Sequence, residues 1–297
     1  MDKEDNTWMK YKALVKGIYR IWIGERPGPL AAALAYYALF SLVPVTYISI
    51  VIAGLFIDAS ELIDRLVDQL EELLGPEAVE QLAGAVELLA DSTAQGSTIG
   101  SLISFIVLLF SASLIFFQLQ YVLNIVWKAP APSRDETRNY IRNRLLAFVM
   151  VLSVGLVLVL ATVANILVST VNILPESEGI VFFVNFLVLG FLLMLALALI
   201  YKFLPNVNIA WQDVWVGSAV TAALLIIAFQ LFAMLLSANR FNTALQAAGS
   251  VALFLISFYF FGTIFIIGAV FTRVYSTVFG SHIASGQGVG VPGEADE

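Results

Sequence analysis

Few side chains in this sequence are equipped for chemistry, and their types argue against catalysis. There is one histidine, His282, inside a glycine-rich C-terminal stretch, and there is no cysteine. Disulfides, thiolate nucleophiles and thiolate metal sites are thereby removed together, and His-ligated metals or His general bases have almost nothing to draw on. No His-Glu zinc pattern, no Ser and His in neighbouring apolar tracts and no phosphate-cradling P-loop occurs. A serine without a base is a weak nucleophile. The expectation is a chain that is not an enzyme and holds neither metal nor cofactor. What remains are neutral polar residues set among apolar ones: Tyr36, Ser41, Gln120, Asn124, Asn165 and Gln230. In hydrocarbon such groups either join helices by hydrogen bonds, the commoner use, or line a path for a solute. These six are the candidates for a translocation path. Asp213, beside Trp211 and after Pro205, is the candidate for a helix-start cap or a gate.

The elements that must carry these residues follow from composition. The chain has 297 residues, of which 60% are hydrophobic and 12% charged, against about a quarter charged in globular domains. This excludes a soluble domain, and a formal net charge of -7 excludes the basic surface of a nucleic-acid binder. A bilayer core of about 30 Å, crossed at about 1.5 Å per residue, needs about 20 mostly apolar residues. Six tracts without Asp, Glu, Lys or Arg meet that length: 27–57, 92–127, 145–175, 179–201, 214–239 and 241–272. The expected fold class is therefore all-α, a polytopic membrane protein with six transmembrane helices over 30–276. Asp213, Arg240 and Arg273 stand at the ends of tracts, which weighs against a pump built on a mid-span carboxylate.

Orientation is read from Lys and Arg, which concentrate on the cytoplasmic side. With six spans, 13 of the 15 Lys and Arg residues fall on the side of the termini, and Arg65 and Arg240 on the other. The expectation is a multi-pass protein of the cytoplasmic (inner) membrane, N-in and C-in. The first apolar tract is too long and starts too late for a cleavable signal.

Three segments read as something other than spans. Residues 1–29 form a cytoplasmic amphipathic helix: Trp8, Tyr11, Leu14 or Val15, Ile18 or Tyr19, and Trp22 recur at helical spacing, with Lys12, Lys16 and Arg20 between them. That pattern suits a helix lying in the headgroup layer, broken at Glu25-Arg26-Pro27-Gly28-Pro29. Residues 58–91 hold ten acids and one base on two Leu/Val stripes separated by Gly75-Pro76, an external helical hairpin that is either a solvated face or a cation-gathering lid. Arg134, Arg138 and Arg142 align on one helix face; they either enforce topology or, like Lys12, Lys16 and Arg20, meet anionic lipid headgroups. Residues 277–297 read as a disordered cytoplasmic tail.

Motifs in order along the chain add a resemblance. Leu30 to Pro44 (LAAALAYYALFSLVP), Leu123-Asn124-Ile125-Val126-Trp127, Tyr201-Lys202-Phe203-Leu204-Pro205, Trp211 with Gly217, Ala248-Gly249-Ser250 and Gly268-Ala269 together resemble the YihY/BrkB family of inner-membrane proteins, once labelled ribonuclease BN. The resemblance spans about 10 to 275 and implies a six-span membrane protein, commonly proposed to transport or export something. Where the family usually continues Gly-Ala-Glu, this chain has Val270, so no role resting on that glutamate carries over. The nuclease label lacks clustered metal ligands or acid-base histidines to support it. The expected function is a transporter or permease of unknown solute, with a non-transporting scaffold or lipid-interacting envelope protein as the alternative. Expected partners are the bilayer, its anionic headgroups and an unidentified solute, with homo-oligomers open and nucleic acid excluded.

Overall fold

The computed structural model describes residues 3–53, 80, 83–84, 98–129, 178–237 and 250–280. The tract 145–175 with Asn165, the row Arg134, Arg138 and Arg142, nearly all of 58–91 and the tail from 281 lie outside the described residues. Within them six long helices form: α1 Lys3–Glu25, α2 Pro27–Ala53, α3 Thr98–Val126, α4 Glu178–Phe203, α5 Trp211–Ser237 and α6 Ser250–Val278. No strand occurs among the described residues. Among the described residues four segments are long and apolar enough to cross a membrane, Pro27–Tyr47, Phe186–Phe203, Trp211–Met234 and Val251–Val278, and Ser113–Val126 of α3 is a shorter apolar stretch. The chain is an all-α polytopic membrane protein.

The helix ends follow from local chemistry. α1 stops at Glu25, Arg26 takes a φ of 44°, and α2 begins on Pro27. Proline suits a first helical position because its missing N–H would have no partner there. α2 therefore starts two residues before the boundary expected at Pro29. At the other end of α3, Lys128 has a φ of 47°. Its N–H donates to Ile125 O (3.0 Å) and the Ala129 N–H to Asn124 O (2.9 Å), the pairing that closes a Schellman turn. Inside α2, Pro44 removes one backbone bond, and Ser41 Oγ donates back to Tyr37 O (2.9 Å) and Ala38 O (3.2 Å). Both features loosen the helix at that point.

Packing is organised around α6, which lies against α1, α2, α3 and α5, while α2 also packs on α3 and α4 on α5. The core joins Leu123, Val126 and Trp127 of α3, Leu197, Ala198 and Tyr201 of α4, Val214 and Ala222 of α5, and Phe265, Ile266 and Ala269 of α6. In lipid, helices gain little from hydrophobicity alone and associate through close backbone approach and hydrogen bonds. α5 and α6 meet that need with the same four-residue spacing on each, Gly217 with Thr221 and Gly268 with Thr272. A Cβ on Gly217 would lie 2.7 Å from Thr272 Cβ, and one on Gly268 would lie 2.8 Å from Thr221 Cβ. Each threonine thus fills the space over the other helix's glycine. Each threonine also donates its hydroxyl to the glycine of its own helix, at 2.7 Å in both cases, so no polar proton is left bare in the contact.

α1 departs from a single lipid-facing aromatic stripe. Leu14, Ile18, Ile21 and Trp22 pack on the core, and a Cβ on Gly17 would lie 2.7 Å from Val274 Cγ1. Trp8, Val15, Tyr19 and Ile23 stay exposed. The split arises because aromatic and aliphatic residues occupy most of the helix circumference, so α6 takes one face and leaves another.

Candidate functional site: the basic end of the bundle

Among the described residues, cations at the helix ends mark one end of the bundle: Arg26 between α1 and α2, Lys128 after α3, Lys202 in the last turn of α4 and Arg273 near the end of α6. Side-chain contacts hold these ends together. Lys128 Nζ lies 3.8 Å from Glu25 Oε1. Arg273 Nη1 donates to Val126 O at 2.5 Å. The turn between α4 and α5 is tied to α3 by Gln120 Nε2 donating to Leu204 O (2.8 Å) and by the Asn206 N–H donating to Asn124 Oδ1 (2.8 Å). Lys202 Nζ closes the turn on Ile209 O and stands 5.5 Å from the centre of the Trp211 ring. Pro205 cannot continue α4, so the chain must turn here, and Gln120 satisfies the Leu204 carbonyl that the helix end leaves open.

Among the described residues at this end, the carboxylate of Asp213 and the guanidinium of Arg273 are buried, at 2% and 7% exposure. Burial of a charge among apolar helices is costly and marks a functional candidate. Asp213 lies in the first turn of α5, where the helix dipole favours a negative charge. Its carboxylate faces the end of α6: a Cβ on Gly280 would lie 2.7 Å from Asp213 Cγ. Deeper in the bundle, Tyr201 of α4 donates to Phe265 O of α6 (2.9 Å) and meets Thr221 Oγ1 of α5 (3.2 Å). One phenol therefore joins three helices. Among the described residues, two buried polar atoms stand apart from this network: Trp127 Nε1 and Ser276 Oγ have no hydrogen-bond partner. A buried polar group left so costs about 1–3 kcal/mol.

Of the six path candidates, Asn165 lies outside the described residues, and the other five separate. Gln120 and Asn124 meet on the 204–206 turn. Ser41 is buried and bonded within α2, about 20 Å along its helix from the basic end, and Gln230 is exposed about 28 Å along α5. Tyr36 is 54% exposed and edges onto Tyr37. Lys12, Lys16 and Arg20 are exposed on α1, with Lys12 Nζ 5.5 Å from the centre of the Trp8 ring. Sequence reasoning placed Arg273 only at a tract end and did not single out Tyr201 or Ser276 as polar contacts. A tyrosine in the last turn of an apolar tract was the available signal for Tyr201.

Comparison with known proteins places the chain. A family profile described as Virulence factor BrkB matches residues 25–287. UPF0761 membrane proteins are similar to it: 24% identity with one of Rhodospirillum centenum over 82% of this chain and 53% of the relative. Others are 26% identical in Teredinibacter turnerae, over 92% and 64%, and 25% identical in Albidiferax ferrireducens, over 90% and 63%. The chain thus spans less than two thirds of the length of these relatives. No solved structure matches. With the family profile covering both the α1–α2 junction and the whole basic end, the chain belongs to the BrkB family.

Proposed function

We propose that this BrkB-family membrane protein is a permease of the cytoplasmic membrane, with both termini inside and its gate at the basic end. The observation that carries the reading is the burial of Asp213 and Arg273 at one end of an otherwise apolar bundle. A protein that only packs in lipid gains more from apolar residues at such positions. The gathering of Arg26, Lys128, Lys202 and Arg273 on one side supports the N-in, C-in orientation. Gln120 and Asn124 form the part of the path nearest the gate, closing it by their bonds to the α4–α5 turn; Asp213 is the gate residue. The test is counterflow in proteoliposomes with labelled cations, anions and neutral solutes, comparing wild type with Asp213→Asn. Uptake by wild type that falls with full expression of Asp213→Asn supports a gate; lost expression assigns Asp213 to a cap.

A second reading, a lipid-interacting envelope protein, is favoured by α1. Its exposed Trp8, Val15, Tyr19 and Ile23 run beside exposed Lys12, Lys16 and Arg20, an arrangement that places apolar groups in the acyl boundary and cations at anionic headgroups. Lipids co-purified with wild type and with a Lys12→Glu, Lys16→Glu, Arg20→Glu variant decide it: enrichment of anionic lipid should disappear in the variant, and equal enrichment removes this reading.

A further inference from the structure

We infer that the basic end holds a binding site for an oxyanion, a carboxylate or phosphate group, built by Arg273, Trp127 and Ser276. The inference deepens the permease reading and rests on it for the fate of the anion, but not for the binding itself.

Two of these donors, on Trp127 and Ser276, are left over by the fold. Arg273 carries five N–H donors and directs Nη1 to Val126 O at 2.5 Å. The residue after Val126 is Trp127, 2% exposed, whose indole N–H has no acceptor. One turn along α6 from Arg273, Ser276 is 0% exposed and its hydroxyl has no partner. That is unusual for this helix: Ser257, Thr263, Thr272 and Thr277 all donate to carbonyls three or four residues back. One backbone bond thus joins Arg273 to the Val126–Trp127 step, and one helical turn joins it to Ser276, which puts the three groups on adjoining elements at the same end.

The chemistry of the set selects the ligand. Guanidinium and indole can only donate, so the group they receive supplies acceptors, and the buried positive charge selects a negative one. A metal ion is excluded by the same donors. The acids described at these helix ends are engaged elsewhere: Glu25, within electrostatic reach of Arg273, pairs with Lys128, and Asp213 lies against Gly280. Among the described residues of these helix ends, Arg26, Lys128, Lys202 and Arg273 outnumber Glu25 and Asp213, which favours entry of an anion from this side.

The experiment measures thermal unfolding of the full chain in neutral detergent, titrated with inorganic phosphate against chloride at constant ionic strength, and again in nanodiscs of phosphatidylcholine with or without phosphatidylglycerol. At ten times its dissociation constant phosphate should raise Tm by about 2 °C. Trp127→Phe and Ser276→Ala should keep or exceed the wild-type Tm without phosphate, since each removes an unpaired polar group, and should each weaken phosphate binding about tenfold. A phosphate effect in detergent assigns a soluble anion; an effect of phosphatidylglycerol alone, lost in the same variants, assigns a lipid headgroup. The site is overturned if neither anion stabilises the protein, if the stabilisation persists in both variants, as it would with water between the donors, or if either variant unfolds without phosphate. Binding without counterflow of any solute would remove the permease and leave the site; counterflow without binding would do the reverse.

Discussion

Replacing Gly217 by alanine tests the α5–α6 crossing at the atom that cannot move aside. The new Cβ would stand 2.7 Å from Thr272 Cβ and 2.6 Å from Thr272 Cγ2, where ordinary contact begins at 3.4 Å. A χ1 rotation could relocate Cγ2 but not Cβ, so the backbones must part by about 0.7 Å, the difference between 3.4 and 2.7 Å. In an open helix the same change would stabilise by up to about 1 kcal/mol through helix propensity. Overpacking costs about 1–3 kcal/mol, so Gly217→Ala should lower stability by roughly 1–2 kcal/mol net. Thr272→Ala removes Cγ2 and the hydroxyl but keeps Cβ, so it relieves part of the clash. In a double-mutant cycle the pair should cost at least about 1 kcal/mol less than the sum of the single changes. Equilibrium unfolding by SDS in mixed micelles, followed by tryptophan fluorescence, gives the energies. A neutral Gly217→Ala, or additivity of the two changes, would refute the reciprocal contact.

Gly24→Ala is the matched control: nothing lies within 4 Å of the added carbon, and the same assay should show a gain of about 0.5–1 kcal/mol. Tyr201→Phe removes one hydroxyl that joins α4 to α5 and α6 and should cost about 1 kcal/mol in SDS unfolding without changing insertion. Gln120→Leu frees Leu204 O and should loosen the α4–α5 turn, read as faster proteolysis within 204–210 and a loss of about 1 kcal/mol. Lys128→Gly sets two effects against each other. Relief of the left-handed backbone is worth about 1–2 kcal/mol, while the ion pair with Glu25, on a largely exposed lysine, is worth about 0–1 kcal/mol, so Tm should stay level or rise.

Helix positions and the composition of the core were legible because charge-free length is a local property of the chain. The tracts 27–57, 179–201, 214–239 and 241–272 reappear as α2, α4, α5 and α6, and the break at Arg26-Pro27 follows from proline chemistry. A glycine in an apolar tract marks a place where helices can approach closely, but the pairing in which Gly217 and Gly268 each receive the other's threonine joins residues far apart in the chain. Gln120 and Asn124 stand four residues apart and so share a helix face by spacing alone; their partners on the 204–206 turn depend on how α3 meets that turn. Arg273 stood at the end of a tract, where a charge ordinarily reaches water. Its burial on Val126 O depends on α6 packing against α3, a contact between residues far apart in the chain that no local pattern encodes. For α1, the aromatic spacing identified an amphipathic helix but not which residues α6 would cover.

Solute counterflow in proteoliposomes of purified wild type and Arg273→Gln, matched for insertion and thermal stability, is the most direct measurement of a gated path at the basic end. The expected result is exchange of at least one labelled solute above protein-free vesicles, reduced tenfold or more in Arg273→Gln. No exchange of any cation, anion or neutral solute by folded wild type, or equal exchange by the variant, would contradict it.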